Sequence, residues 1–249
     1  MSYIFLAVGF VMLVVGGDML VRAAVAIAER LNIPHLIIGL TIVAFGTSAP
    51  ELFVSVDAAL GDAGGIAVGN IVGSNIANVL LVLGVPAVIS ASEAATNKLG
   101  RNLTFMMVLS GVFVAMMAFG EITRPMGFVL LLTIFGFLGW QYVEAMKHRD
   151  EASDFEDFDD DVGELPSSVR RIAAFFAFGL IGLQVGAQLI VGSAVTIATS
   201  WGVSDTVIGL TIIAIGTSLP ELAAALASAW AGRGALALGN VIGSNIFNI

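Results

Sequence analysis

No cysteine occurs among the 249 residues, which excludes disulfides and thiolate metal sites. Charge is also scarce. Asp, Glu, Lys and Arg make up 12% of the chain, about half of the ~25% typical of a soluble domain. Lysine occurs only twice. The chain has no HExxH sequence, no Asp-dyad motif and no nucleophile–base pair, so enzymatic chemistry is not expected. Nor does it contain the spaced Asp/Asn–Gly loop of an EF-hand. What remains is apolar: 58% of residues are hydrophobic and mean hydropathy is +0.99.

The apolar residues fall in runs of roughly 20, the length that a bilayer-spanning helix requires. Eight spans are expected, near 3–28, 36–60, 66–90, 102–120, 125–146, 171–199, 206–229 and 235–249. The first is too long for a signal-peptide core and lacks a basic start, so it is read as a retained span. Nine of the 19 acidic residues lie between Asp150 and Glu164, which marks 147–170 as a solvated linker between 1–146 and 171–249. With the N-terminus outside, Arg22, Arg30, Lys98, Arg101, Lys147, Arg149, Arg170, Arg171 and Arg233 fall on the inner side, and only Arg124 falls outside. That bias fixes the expected orientation in a cell membrane, that of a prokaryote by preference, and puts the acidic linker in the cytoplasm.

The chain repeats itself. GLTIVAFGTSAPEL (Gly39 to Leu52) returns as GLTIIAIGTSLPEL (Gly209 to Leu222), matching at 11 of 14 positions. GNIVGSNIAN (Gly69 to Asn78) returns as GNVIGSNIFN (Gly239 to Asn248), matching at 7 of 10, with the same offset of 170. Five spans separate equivalent helices, and an odd number inverts the second copy. The expected fold is therefore an all-α polytopic membrane protein with two inverted five-helix repeats. The second repeat is incomplete: about eight of ten helices are present, and the offset places a natural end near residue 316. Inverted repeats carrying polar groups at the midplane point to a transporter, with its site where the copies meet. A channel, usually a ring of identical subunits, fits this duplication poorly.

The repeated phrases hold the chemistry. Thr47, Ser48 and Glu51 are three and four residues apart and can share one helix face. Pro50 lacks an N–H, which frees the Gly46 carbonyl and loosens the helix. The second copy supplies Thr217, Ser218 and Glu221, with Pro220 freeing Gly216. Ser74 and Asn78, mirrored by Ser244 and Asn248, add neutral oxygens. These are hard ligands suited to Na⁺ and Ca²⁺. Two facing glutamates carry −2, matched by one Ca²⁺ or by several Na⁺. Without a cation the pair repels, so it takes up a cation or a proton, and the occupants compete as an exchanger requires. Gly39, Gly46, Gly69, Gly73, Gly209, Gly216, Gly239 and Gly243 are read as close-packing residues, and Asn75 and Asn245 as ties between helices. Asp18 aligns with Gln188 and so stands outside the symmetric set. His35, beside Pro34, is placed at an interface, and Asp57 near an exposed helix end.

These phrases resemble the alpha repeats of the sodium/calcium exchangers in the cation/Ca²⁺ antiporter superfamily, and the resemblance covers the whole chain. It implies that Glu51 and Glu221 bind Ca²⁺ and Na⁺ in alternation. It also implies that Thr47, Ser48, Ser74, Asn78, Thr217, Ser218, Ser244 and Asn248 complete the sites, with the carbonyls of Ala44 and Ala214. Helices two, three, seven and eight would build the site, and helices one and six would slide across it. Na⁺ influx would drive Ca²⁺ efflux. Potassium-dependent relatives carry Asp where Asn248 stands, which implies potassium-independent exchange. Proton-coupled relatives carry Asn in place of the Thr-Ser pair, so Na⁺ coupling is expected and Ca²⁺/H⁺ antiport is the alternative. Ca²⁺, Na⁺ and the lipid bilayer are the expected partners, with no cofactor and no nucleic acid. The sequence leaves the oligomeric state open.

Overall fold

The computed structural model describes residues 1–89, 97–147, 164–204, 212 and 214–249. The acidic run of the linker, apart from Glu164, lies outside these residues, as do Gly209, Leu210 and Thr211 of the second repeated phrase. Every regular element among them is helical. α1 spans Ser2–Leu31, α2 His35–Ile38, α3 Ala44–Thr47, α4 Ala49–Leu60, α5 Gly64–Ala77 and α6 Gly84–Ile89. α7 spans Asn97–Met117, α8 Arg124–Lys147, α9 Val169–Ser200, α10 Ala214–Gly216, α11 Leu219–Trp230 and α12 Gly234–Asn248. Among the described residues five helices are long and apolar enough to cross a membrane. The pair His35–Thr47 and Ala49–Leu60, bent by 46°, brings the number to six where it is counted as one broken span. Gly234–Phe247 is apolar but shorter, and the start of the span expected at 206–229 is not described. The outward faces carry Phe10, Phe53, Phe128, Phe135 and Phe178 exposed, as a surface facing lipid requires.

Local sequence explains where the helices stop. α1 ends at Asn32, which takes the left-handed conformation (φ 54°), and Ile33 N–H returns to the Ala28 carbonyl at 3.0 Å. Pro34 then starts a new direction. Ser48 (ψ 3°) and its copy Ser218 (ψ 6°) leave helical geometry, and Pro50 and Pro220 sit in the first turn of the helix that follows. Proline has no N–H to donate back to the preceding turn, so the span breaks at these points. Among the described residues, one π-helical turn, Gly39–Val43, lies in the first copy of the first phrase, and another, Asn78–Val82, starts at the last residue of the first copy of the second. Such widened turns are common at functional sites.

Glycine sets the crossings. A Cβ at Gly39 would stand 2.5 Å from the Leu236 carbonyl oxygen, and one at Gly239 2.5 Å from that of Leu36. The segment from α2 through the π turn therefore meets α12 backbone to backbone. A second seam joins α1 to α9. A Cβ at Gly16 would meet the Gly179 carbonyl at 2.9 Å, and one at Gly186 the Gly9 carbonyl at 2.9 Å. The close-packing reading is corrected for Gly69 and Gly73: a Cβ there would find no described atom within 4 Å. Around the crossings, Leu20, Val25, Leu183, Ala224 and Leu236 form one core, and Leu40, Met106, Phe137, Ile242 and Ile246 a second.

The seams predict a contrast between two glycines. Gly39→Ala pushes a methyl into backbone and should cost about 1–3 kcal/mol, lowering Tm by several degrees. Gly111→Ala lies in a helix interior with no atom within 4 Å and should leave Tm unchanged or raised. Thermal unfolding of the two detergent-solubilised variants measures the difference; equal behaviour would refute a backbone-contact crossing.

Candidate functional site

The two broken spans bring their break points together. Glu51 and Glu221 each fall in the first turn of the helix after the break, α4 and α11, where the positive end of the helix dipole favours a carboxylate. Glu51 is 2% exposed and Glu221 0%. The site thus forms at the meeting of the two sequence copies.

The hydroxyls do not serve the carboxylate of their own phrase. Ser48 donates to Glu221 Oε1 at 3.3 Å, although Glu51 follows it by three residues. Thr47 Oγ1 reaches across to α12, 3.2 Å from Asn240 Oδ1 and 3.5 Å from Ser244 Oγ. It also lies 3.3 Å from the Ala44 carbonyl, which accepts the Ser48 N–H at 3.0 Å. Ser218 is buried, Thr217 half-buried, and Ala214 opens α10. Ser74 is buried, but its hydroxyl is spent on the Asn70 carbonyl one turn back, at 2.7 Å.

An amide network closes one side. Asn78 Nδ2 donates to Asn245 Oδ1 (3.0 Å), Asn75 Nδ2 to the Asn245 carbonyl (3.3 Å), and Asn248 Nδ2 to Asn75 Oδ1 (3.2 Å). Asn75 and Asn245 tie helices together, as their sequence context suggests. Asn70 and Asn240 were not singled out by sequence, yet both touch site segments. Asn70 Nδ2 donates to the Glu51 carbonyl (3.1 Å) and to Ser55 Oγ (3.0 Å). The available signal was their place as second residue of each GN phrase, at the shared offset. Asp18, outside the symmetric set, pairs with Arg22 at 2.8 Å.

What is left over defines the chemistry. Both oxygens of Glu51, Glu221 Oε2, Asn78 Oδ1 and Ser218 Oγ are buried and receive no hydrogen bond from the described residues. A carboxylate in an apolar interior with no donor is among the costliest arrangements in a protein. Oxygens without donors are of the kind that a hard cation can coordinate. Among the described residues no group of three or more His, Cys, Asp or Glu comes together, so the two glutamates supply the formal charge. A cavity of about 290 Å³ reaches Glu51, Ser55 and Asn248 between walls that include Leu109, Phe113 and Leu130.

The family described as sodium/calcium exchanger protein matches residues 1–143 and 171–249. The chain belongs to the sodium/calcium exchanger family. It is 42% identical to the putative antiporter CaxA of Alkalimonas amylolytica, over 99% of this chain and 77% of that one. It is 35% identical to the sodium/calcium exchanger MaX1 of Methanosarcina acetivorans, over 100% and 80%. A solved structure of the sodium-calcium exchanger NCX_Mj, soaked with Na⁺ and Ca²⁺, superposes with a TM-score of 0.84 at 35% identity, covering 99% of this chain and 78% of that one. The exchanger fold and the cluster of donorless oxygens therefore occur in one chain.

The orphaned oxygens give a signature in stability. Near neutral pH without Ca²⁺, Glu51→Gln should raise Tm, because the amide brings a donor to acceptors that have none. In the parent, Ca²⁺ at a hundredfold excess over Kd should add about 2.7 kcal/mol, and the variant should lose that increment. A fall in cation-free Tm, or a retained Ca²⁺ shift, would contradict Glu51 as a ligand.

Proposed function

We propose that this exchanger-family protein is a secondary active antiporter that trades Na⁺ for Ca²⁺ at Glu51 and Glu221. The observation that carries this reading is the pair of enclosed carboxylates, one from each sequence copy, three of whose four oxygens have no donor among the described residues. Family membership and likeness to an exchanger structure support cation/Ca²⁺ exchange as the class of transport.

On this reading one Ca²⁺ neutralises the two glutamates, and Na⁺ ions compete for the same oxygens. Thr47, Ser48, Ser74, Asn78, Thr217, Ser218, Ser244 and Asn248, with the carbonyls of Ala44 and Ala214, replace the hydration shell. Competition for one set of ligands couples the two fluxes without a further device. Access alternates as the two inverted halves rearrange, and the glycine seam lets α1 and α9 move as a pair. The N-terminus faces outside the cell membrane, and Na⁺ entry drives Ca²⁺ exit. A proton on either glutamate could replace Na⁺, which makes Ca²⁺/H⁺ antiport the competing reading.

Proteoliposomes loaded with Na⁺ and holding the full-length protein should take up radiolabelled Ca²⁺ only down an outward Na⁺ gradient, with no requirement for K⁺. Glu51→Gln and Glu221→Gln should each lower uptake to the level of empty liposomes. Uptake that ignores Na⁺ and follows a pH gradient would transfer the assignment to Ca²⁺/H⁺ antiport. Absence of flux under both gradients would refute Ca²⁺ as the substrate.

A further inference from the structure

The two copies carry the same asparagine but use it differently. Asn70 and Asn240 occupy one position of the repeated phrase, 170 residues apart. Asn70 works within its own half, where its amide clamps the Glu51 carbonyl and Ser55 Oγ, pinning α4 to α5. Asn240 works across the halves, with its Oδ1 engaged by the Thr47 hydroxyl. Its Nδ2 is buried and has no acceptor among the described residues. The position that would complete the symmetry, the Glu221 carbonyl on the adjacent helix α11, accepts no side-chain bond among the described contacts, and Thr217 makes no described bond to Asn70. The carboxylates differ in the same sense: Glu221 holds Ser48, whereas both Glu51 oxygens are bare and Glu51 borders the cavity.

A buried amide donor without an acceptor is disfavoured. The same code in the other half shows the arrangement that would satisfy it. We infer that Asn70 and Asn240 are positioning residues that trade roles as the protein alternates between its two faces. In the opposite-facing state Asn240 clamps the Glu221 carbonyl and pins α11 to α12, while Asn70 releases Glu51 and takes the Thr217 hydroxyl. This deepens the antiport reading and rests on it, since it supplies a two-state element beside each carboxylate. The two states are not equivalent. Position 225, the counterpart of Ser55, is alanine, so Asn240 has one clamp partner where Asn70 has two. The state described here is therefore the one that Asn70 favours.

Hydrogen–deuterium exchange of the full-length protein in detergent tests the trade, followed in peptides from 49–60 and 219–230. Asn70→Ala removes two bonds from the present state and one from the other, so the population shifts away from the present state. Exchange over 49–60 should accelerate and exchange over 219–230 should slow, each by about twofold or more. Asn240→Ala removes one bond from each state, but in the present state it also removes the buried Nδ2 that has no acceptor among the described residues, so the population should shift the other way, leaving 49–60 more protected and 219–230 less. Protection gained by a helix that lost no contact is an effect that mere structural damage does not produce. If both variants loosen both segments, or each loosens only its own, the exchange of roles is overturned. The parent is measured in Na⁺ and in Ca²⁺ as well. If neither cation alters either segment, the antiport reading fails and takes this inference with it; if cations do so while the variants fail to move the segments oppositely, only the exchange of roles fails.

Discussion

The constraint on which the rest of the molecule depends is that two glutamates are shut away from water inside a hydrocarbon-facing bundle. Burying one ionised carboxylate without partners is so costly that a protein ordinarily protonates it or pairs it. Here the neighbours of Glu51 and Glu221 are hydroxyls and amides, and no basic side chain pairs with either one among the described residues. On the proposed reading, the charge is left for a cation that can come and go. Much of the rest of the fold makes that possible. The breaks at Ser48 and Ser218 turn the middle of a span into a helix start, where a dipole supports the carboxylate. The crossing at Gly39 and Gly239 brings the α2 segment and α12 to backbone contact, close enough for Thr47 to touch Asn240 and Ser244.

Duplication gives this arrangement its economy. A single broken helix with one glutamate offers −1 and a half-shell of oxygens. Two copies offer −2, and the first copy contributes a hydroxyl to the carboxylate of the second, as the bond from Ser48 to Glu221 shows. Because Ser48 of the first phrase serves the carboxylate of the second, the two halves share this group of oxygens. On the proposed reading, a change in the relation of the halves alters the ligand set directly, with no need for a signal carried over a distance.

The sequence made the chemistry of the site legible because the code is local and written twice. Thr47, Ser48, Glu51 and Pro50 are neighbours, and their reappearance at a fixed offset separates them from scattered polar residues. The bend after Thr47 followed from Pro50, and burial followed from the apolar context. Three things were not legible, each for a physical reason. The cross-pairing of Ser48 with Glu221 depends on the crossing of two spans, which helical spacing cannot encode. The seam of Gly9, Gly16, Gly179 and Gly186 is spread over two helices far apart in sequence, and a glycine in an apolar span reads alike whether it packs or faces lipid. Gly69 and Gly73 illustrate the converse, since they share the repeated phrases with Gly239 and Gly243 but have open space where a described neighbour would be.

Electroneutrality also explains why neutral asparagines stand at positions 78 and 248. On the proposed reading, a site of −2 becomes neutral with one Ca²⁺ or with Na⁺ ions of the same total charge, whereas the bare site retains its full burden. Interconversion between faces carries the site past low-dielectric protein, where uncompensated charge is penalised far more than in water. The occupied forms therefore rearrange readily and the bare form does not, which is the condition for exchange without leakage. An aspartate in place of Asn248 would make the formal charge −3, and a single Ca²⁺ would then leave −1 to be balanced by a further monovalent ion or a proton. The amide keeps an oxygen ligand at that place without adding to the charge, and so ties the coupling to the two glutamates alone.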